Sequence, residues 1–259
     1  MSKRDLFFRQ PLTNAAGSLG FAPDFHAPVP WDDFGAFITN PISLRPRTVT
    51  AMPALIEYPG GFLLHTGLPN PGLNATLRTY ARRWNDSPLP IIVHLMADRP
   101  EETRQMVQTL ENVDNVMAVE LGFAPLLADD ILFLTLEMCI GEMPLIFCLP
   151  PDQVLTLGPR LIQEGVEAVS IGAPRGALPI IPSPLPVEDG ERVRKIIEGR
   201  LFGPSLFPQS LYLVRSAAKL RLPIIGAGGI YSKENAEAMV SVGAMAVQMD
   251  AILWRGFGG

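Results

Sequence analysis

The sequence predicts an α/β fold, a TIM (β/α)₈ barrel of parallel strands that alternate with helices. Eight short apolar runs recur along the 259 residues, and segments of helical length separate most of them. Glycine or other small residues follow several of these runs, as expected where a buried strand turns into a loop. Such alternation is typical of a parallel sheet with helices on its faces. An open, doubly wound sheet is the alternative that the pattern leaves open.

The elements follow from these patterns in chain order. The predicted strands cover residues 12–16, 35–39, 90–96, 116–121, 144–149, 168–171, 223–225 and 245–249. The predicted helices cover residues 74–84, 98–111, 125–140, 152–164 and 210–219, with one more after Ser232. Asp98 and Ser232 are the predicted N-caps of their helices, because short polar side chains accept hydrogen bonds from the first turn.

Two long excursions rich in glycine and proline interrupt the alternation, at residues 41–74 and 174–207. Irregular segments of this length in a compact domain are usually functional loops. We therefore expect one barrel domain over residues 1–259 with both excursions near its functional end. We expect the closing C-terminal helix to be short or missing, and a homodimer is one arrangement that would cover that flank.

Composition narrows the class of protein. The chain is 47% apolar and 18% charged, and its formal net charge of −5 offers no basic field for nucleic acid. No apolar run is long enough to span a bilayer. The only cysteines, Cys139 and Cys148, lie in apolar surroundings, which favours a reducing compartment over a disulfide framework. We expect a cytoplasmic protein that acts on a small molecule, without membrane or nucleic-acid partners.

A glycine loop follows the seventh predicted strand. Gly226, Gly228 and Gly229 lie between that strand and the next helix, so backbone N–H groups can approach an anion closely. This arrangement predicts a phosphate site. A tight turn without a ligand explains the same residues, and the loop alone leaves both interpretations open.

Motifs spread along the chain resemble those of the dihydroorotate dehydrogenase family of FMN-dependent barrels, most closely its soluble class. The matching pieces are Asn-Ala-Ala-Gly at 14–17, Gly-Ala-Phe-Ile-Thr at 35–39, Pro-Arg at 46–47, Gly-Leu-Pro-Asn-Pro-Gly at 67–72, Val-Glu-Leu at 119–121, Gly-Pro at 203–204, Pro-Ile-Ile-Gly-Ala-Gly-Gly-Ile at 223–230 and Gly-Ala-Met-Ala-Val-Gln at 243–248. Each piece is short, but their order and spacing along the chain are specific for this fold and superfamily.

The resemblance implies that FMN lies across the C-terminal mouth of the barrel. It places small residues behind the flavin ring and backbone amides around the phosphate. The implied cofactor-binding positions are Ala15, Ala16, Gly17, Gly203, Gly228, Gly229, Asp250 and Ala251. Asn70 matches an asparagine that binds the pyrimidine substrate, and Asn40 is a second substrate-binding candidate.

The chain departs from the family at several of its functional positions. Asn40 and Cys148 stand where the family has lysines, and Asp250 replaces a glycine of the phosphate turn. The segment after Glu120 contains neither the asparagine nor the catalytic cysteine or serine of the family. The resemblance therefore implies a flavin oxidoreductase of pyrimidine-metabolism type with a diverged substrate site. The alternative is a cofactor-free, non-catalytic barrel that acts as a binding or scaffold protein.

The catalytic residue stays unassigned, with His94 and Cys148 as candidates. Alternation on the third strand points Ile92, His94 and Met96 into the barrel, so His94 is either a base or ligand contact or a satisfied core histidine. Cys148 would need a cationic neighbour to act as a thiolate, and otherwise fills apolar space.

Arg45, Arg47 and Arg175 are candidates to bind an anionic substrate, or are simply solvated. His65 is interpreted as a surface loop residue. No cluster has metal-ligand spacing, so no metal site is expected.

Overall fold

The computed structural model describes residues 5–180, 195–250 and 252–253. The predicted cofactor position Ala251 and the middle of the 174–207 excursion lie outside the described residues.

Eight parallel strands close into a barrel, which confirms the predicted fold class. They are β1 (Leu12–Asn14), β2 (Phe34–Ile38), β5 (Ile91–Met96), β6 (Val116–Gly122), β7 (Leu145–Leu149), β8 (Ala168–Ile171), β11 (Ile224–Ala227) and β12 (Ala246–Met249). Neighbours around the barrel run β1, β12, β11, β8, β7, β6, β5 and β2, and β2 pairs with β1 to close it. The open-sheet alternative is therefore wrong.

The described helices lie between successive barrel strands. They are α1 (Leu73–Asn85), α2 (Pro100–Leu110), α3 (Asp129–Cys139), α4 (Val154–Gln163), α5 (Phe207–Lys219) and α6 (Lys233–Ser241). Short 3₁₀ turns occupy Trp31–Asp33 and Pro204–Leu206. Most of these bounds fall within a few residues of the prediction.

The sequence predicts that the two excursions are irregular. In the structure they instead form the strands of a second sheet. Residues Ala54–Tyr58 (β3), Gly61–His65 (β4), Arg175–Ile180 (β9) and Lys195–Phe202 (β10) form an antiparallel sheet in the order β3-β4-β10-β9. Its strands come from distant parts of the chain, and the β4–β10 pairing is the contact that unites them. Sequence patterns within either excursion carry no information about that pairing.

One predicted N-cap is confirmed and the other is wrong. The Ser232 hydroxyl accepts a hydrogen bond from the Asn235 backbone N–H at 3.3 Å. Helix α2 instead begins at Pro100 after Arg99, which has no side-chain capping bond. Proline suits this first position because its fixed φ matches the helix and its missing N–H would have no partner there. Asp98 instead faces Arg47, with 3.8 Å between charged atoms.

The interior of the barrel is a layer of small and β-branched side chains. Its buried members are Ala36, Ile38, Ile92, Ala118, Ile146, Ala168, Ile225 and Ala246. A separate cluster lies between the strands and the helices, and it includes Val93, Leu95 and the fully buried Trp84. The predicted orientation of the β5 side chains is confirmed, because Ile92 belongs to the inner layer and its neighbours to the outer one.

After β12 the structure describes Asp250 and the helical residues Ile252 and Leu253, so the closing helix stays a prediction. Among the described residues, no helix combines the length and apolar character needed to cross a membrane.

Candidate functional site

A polar layer lies directly above the apolar interior, toward the C-terminal ends of the strands. Inward-facing residues recur every second position along a strand. Two residues beyond Ile92, Ala118, Ile146, Ala168 and Ala246 therefore come the polar-layer residues His94, Glu120, Cys148, Ser170 and Gln248. Five different strands thus direct polar side chains to one point in the barrel.

Glu120 is the centre of this layer and has no exposed surface. His94 Nδ1 lies 2.6 Å from its Oε2 atom. The Ser170 hydroxyl donates to its Oε1 atom at 2.6 Å, and the Gln248 amide donates to the same oxygen. Burial raises the pKa of Glu120, but the hydrogen bond from His94, the His94 charge and the two other donors together lower it below its ordinary value. The side chain is therefore held as a carboxylate.

The carboxylate determines the orientation of the His94 ring. A carboxylate can only accept hydrogen bonds, so Nδ1 of His94 carries a proton and donates it to Glu120. Gly122 makes room for the ring, because a Cβ atom at that position would overlap Nε2. His94 is 3% exposed and lines the cavity described next.

The mouth of the barrel opens into a cavity with two adjoining lobes of about 140 and about 450 Å³. Both lobes are lined by Ala16, His94, Arg175, Arg200 and Asp250. The antiparallel sheet forms part of the wall of the larger lobe. Together the lobes fall in the size range of cofactor and small-molecule sites, which supports a ligand at this end of the fold.

The glycine loop after β11 borders the smaller lobe at Gly228. Gly228 and Gly229 have φ angles of +97° and +73°, which L-residues rarely adopt. Within the described part of the chain, no hydrogen-bond partner is found for the backbone N–H groups of Gly228, Gly229 and Ile230. Three such groups at the start of a helix-bearing loop are suited to an anion such as a phosphate.

Small residues after β1 leave space beside this loop. Ala15 lines the smaller lobe, Gly17 the larger lobe and Ala16 both. Asp250 lies at the adjoining end of β12 and is 5% exposed. These predicted cofactor positions thus meet at one cavity, and the backbone donors beside it suit a ligand that carries a phosphate.

Three other predicted positions make hydrogen bonds to, or pack against, neighbouring loops. Asn40 lines the larger lobe, and its side-chain oxygen accepts from the Gly20 N–H at 3.1 Å. Asn70 does not line either lobe; its side-chain oxygen accepts from Ser43 and from the Gly72 N–H at 3.0 Å. Gly203 also lies outside both linings and packs against the turn at Gly60. Asn70 and Gly203 therefore stabilise loops around the site.

Cys148 lines the smaller lobe as an uncharged thiol. Burial and the Glu120 charge raise its pKa to about 12, despite the Ser170 hydrogen bond and the Arg200 charge. A thiol with this pKa is a poor nucleophile at neutral pH. Among the residues that the structure describes, no group of three His, Cys, Asp or Glu side chains could hold a metal ion.

The structure places some of the arginine and histidine candidates at the cavity and others away from it. Arg47 and Arg175 line the larger lobe, as does His65, whose Nε2 lies 3.3 Å from the Thr50 hydroxyl. Arg45 is exposed and lines neither lobe. Sequence reasoning assigned no role to Glu120, Ser170, Gln248 or Arg200. The first three lie two residues beyond members of the apolar layer, so the strand periodicity could have identified them. Arg200 reaches the site only because β10 pairs with a strand that is distant in sequence.

Comparison with known proteins agrees with this geometry. The family model for dihydroorotate dehydrogenase matches residues 3–123. A dihydroorotate dehydrogenase B (NAD(+)) catalytic subunit from Trichlorobacter lovleyi is 30% identical over 256 residues, which covers 94% of this chain and 84% of the relative. The subunit of the same name from Pelobacter propionicus is 29% identical with the same coverage. The barrel, the cavity at its mouth and these matches together show that the chain belongs to the dihydroorotate dehydrogenase family.

Proposed function

We propose that the protein is an FMN-dependent oxidoreductase of the dihydroorotate dehydrogenase type whose substrate site has diverged. The observation that carries the proposal is the set of backbone N–H groups at Gly228, Gly229 and Ile230, for which the described residues provide no partner, beside the cavity that Gly228 and His94 line. Backbone donors of this kind suit the FMN phosphate. Family membership supports the same cofactor.

The residues around the cavity have separate roles in this proposal. Ala15, Ala16 and Gly17 leave room for the flavin ring, and Gly228 and Gly229 hold the phosphate. FMN bound there supplies the acceptor for a hydride. His94 Nε2 takes the proton that leaves the neighbouring substrate carbon, and Glu120 stabilises the imidazolium that forms.

The purified protein tests the cofactor assignment directly. We expect flavin absorbance bands, and we expect stripped protein to recover them with added FMN but not with riboflavin, which lacks the phosphate. A colourless protein that takes up neither compound contradicts the proposal.

The proton-transfer assignment is tested on the flavin-loaded protein. Anaerobic mixing with dihydroorotate, and with other small cyclic compounds that contain a CH–CH unit, identifies the substrate that bleaches the flavin. With that substrate, His94→Gln should keep the flavin but slow its reduction about 100-fold or more, as expected for loss of a general base. Cys148→Ser is the control and should retain the rate. An unchanged rate in His94→Gln excludes the assignment.

Asp250 favours a second candidate function, a cofactor-free binding barrel. A carboxylate about 5 Å from a phosphate at an effective dielectric near 20 costs roughly 3 kcal/mol per unit charge. Asp250 lines both lobes and is almost fully buried. If the parent protein binds no FMN and Asp250→Gly does, the cofactor-free function is supported. Tight FMN binding by the parent protein rules it out.

The assembly state follows from the same proposal. The relatives are named as catalytic subunits, so we propose that this chain also works in an assembly, with a homodimer as its simplest form. Light scattering of the purified chain should give the mass of more than one copy, and a strictly monomeric mass contradicts a homodimer.

A further inference from the structure

Two arginines face each other at the cavity, and within the described residues neither has an acidic partner in salt-bridge range. Arg175 on β9 and Arg200 on β10 are directly opposite in the antiparallel ladder, so their side chains leave the same face of the sheet. Both line both lobes of the cavity.

This placement is unfavourable unless something compensates it. Like charges directly opposite on paired strands destabilise a sheet. Over the described residues, neither guanidinium makes a hydrogen bond or an ion pair within 4.0 Å. Burial and the Arg175 charge lower the pKa of Arg200, so the site holds its positive charge at a cost. An anion between the two side chains would offset their repulsion and would accept the hydrogen bonds that the guanidinium groups lack.

The pair is within reach of two anion positions, because both arginines line the smaller lobe with Gly228 as well as the larger lobe. Arg200 lines the smaller lobe together with Glu120 and Cys148, so it lies beside the polar layer. The larger lobe contains both arginines and His94, but its lining does not include Gly228. An anion bound in that lobe therefore lies beside His94 and apart from the glycine loop proposed for the phosphate.

We propose that Arg175 and Arg200 bind a carboxylate of the substrate and hold the adjoining carbon next to His94. Guanidinium groups match a carboxylate with two parallel hydrogen bonds, which fixes its direction as well as its position. This inference rests on the proposed function, because it assigns the anion to the substrate of that reaction.

The test measures binding rather than turnover. Calorimetric titrations use three matched pairs of probes: orotate with uracil, nicotinate with nicotinamide, and benzoate with benzamide. They are made on the protein as purified and again after removal of any flavin. At least one carboxylate should bind ten- to a hundredfold tighter than its neutral partner, as expected for hydrogen bonds to a charged group.

The variants locate that preference. Arg175→Gln and Arg200→Gln should each abolish it, while Arg200→Lys, which keeps the charge but loses the paired hydrogen bonds, should keep part of it. Arg78→Gln changes an exposed arginine on α1 and should leave it intact. Circular dichroism checks that each variant is folded. If Arg200→Gln does not fold, Arg200→Lys takes its place in the comparison.

The outcomes separate this inference from the proposed function. No carboxylate preference in the parent protein, or a preference that survives both glutamine variants, overturns the inference. If Arg200→Gln loses FMN but keeps the carboxylate preference, the pair serves the cofactor phosphate and the inference is also overturned. A colourless protein that shows the preference contradicts only the proposed cofactor, and a yellow protein without it contradicts only the carboxylate site.

Discussion

At the scale of single residues, Glu120 decides the chemistry of the barrel mouth. An isolated buried carboxylate would take up a proton to avoid the loss of hydration. Three donors from three different strands, His94, Ser170 and Gln248, keep this one ionised. The same contacts orient His94, so the stability of the site and its proposed proton transfer depend on one side chain.

Glu120→Gln should lower the free energy of unfolding by about 3 kcal/mol at pH 7, because one amide oxygen cannot satisfy donors that reach both carboxylate oxygens. The folded-state pKa of Glu120 lies below its ordinary value of 4.5, so its contribution is complete above that pH. The difference between parent and variant should shrink as the pH falls through that lowered pKa, where the carboxylate gains a proton. Urea unfolding between pH 7 and 3 measures this difference.

Glu57→Gln is the matched control, since Glu57 is exposed on β3. It should change the free energy of unfolding by less than about 0.5 kcal/mol. A difference for Glu120→Gln that is equal at every pH contradicts the ionised state of Glu120.

At the scale of elements, the turn from β11 into α6 sets the geometry of the proposed phosphate site. Gly229 has positive φ, and a Cβ atom there would overlap the backbone nitrogen of Phe207 at the start of α5. The loop is therefore pressed against a neighbouring helix. Packing within the fold therefore sets the conformation of the loop, whether or not a ligand is bound.

Gly229→Ala should destabilise the protein by about 3 kcal/mol, of which about 1 comes from the positive φ and the rest from the overlap. Gly20→Ala separates these contributions, because Gly20 has a φ of +87° but nothing within 4 Å of the added carbon. That control should cost only about 1 kcal/mol. If urea unfolding shows that both variants lose the same free energy of unfolding, the contact with Phe207 relaxes without an energetic penalty.

At the scale of the whole molecule, the cavity joins the barrel to the four-stranded sheet. Both contribute to the lining, so a ligand there contacts parts of the chain that are far apart in sequence. Binding to the folded state alone stabilises it by mass action. The single-domain organisation stays a prediction, and one coincident unfolding transition by circular dichroism and tryptophan fluorescence would support it.

FMN at about a hundred times its dissociation constant should stabilise the protein by about 2.7 kcal/mol, which corresponds to a rise in Tm of about 5–10 °C for a chain of this size. Riboflavin at the same concentration should produce a smaller shift, because it cannot use the N–H groups at Gly228 and Gly229. Equal shifts from the two compounds would show that the glycine loop does not hold the phosphate.

Much of the fold was predictable because its signals are local. Apolar runs such as the one at β7, the small residues after β1 and the Ser232 cap each depend on neighbours within a few residues. The parts that were missed depend on contacts between distant residues. The residue type of Asp98 predicts an N-cap, but Pro100 starts the helix and Arg47 lies near Asp98 instead.

Local periodicity and backbone freedom are enough to predict the alternating strands and helices, the glycine loop and the small residues at the mouth. The contact between Glu120 and His94 and the pairing of Arg175 with Arg200 depend instead on how distant segments pack. Glu120 and His94 lie on neighbouring strands separated by a helix, and the two arginines meet through strands that flank a long connection. Pairing over such distances is selected by the packing of the whole molecule, and no short segment contains it.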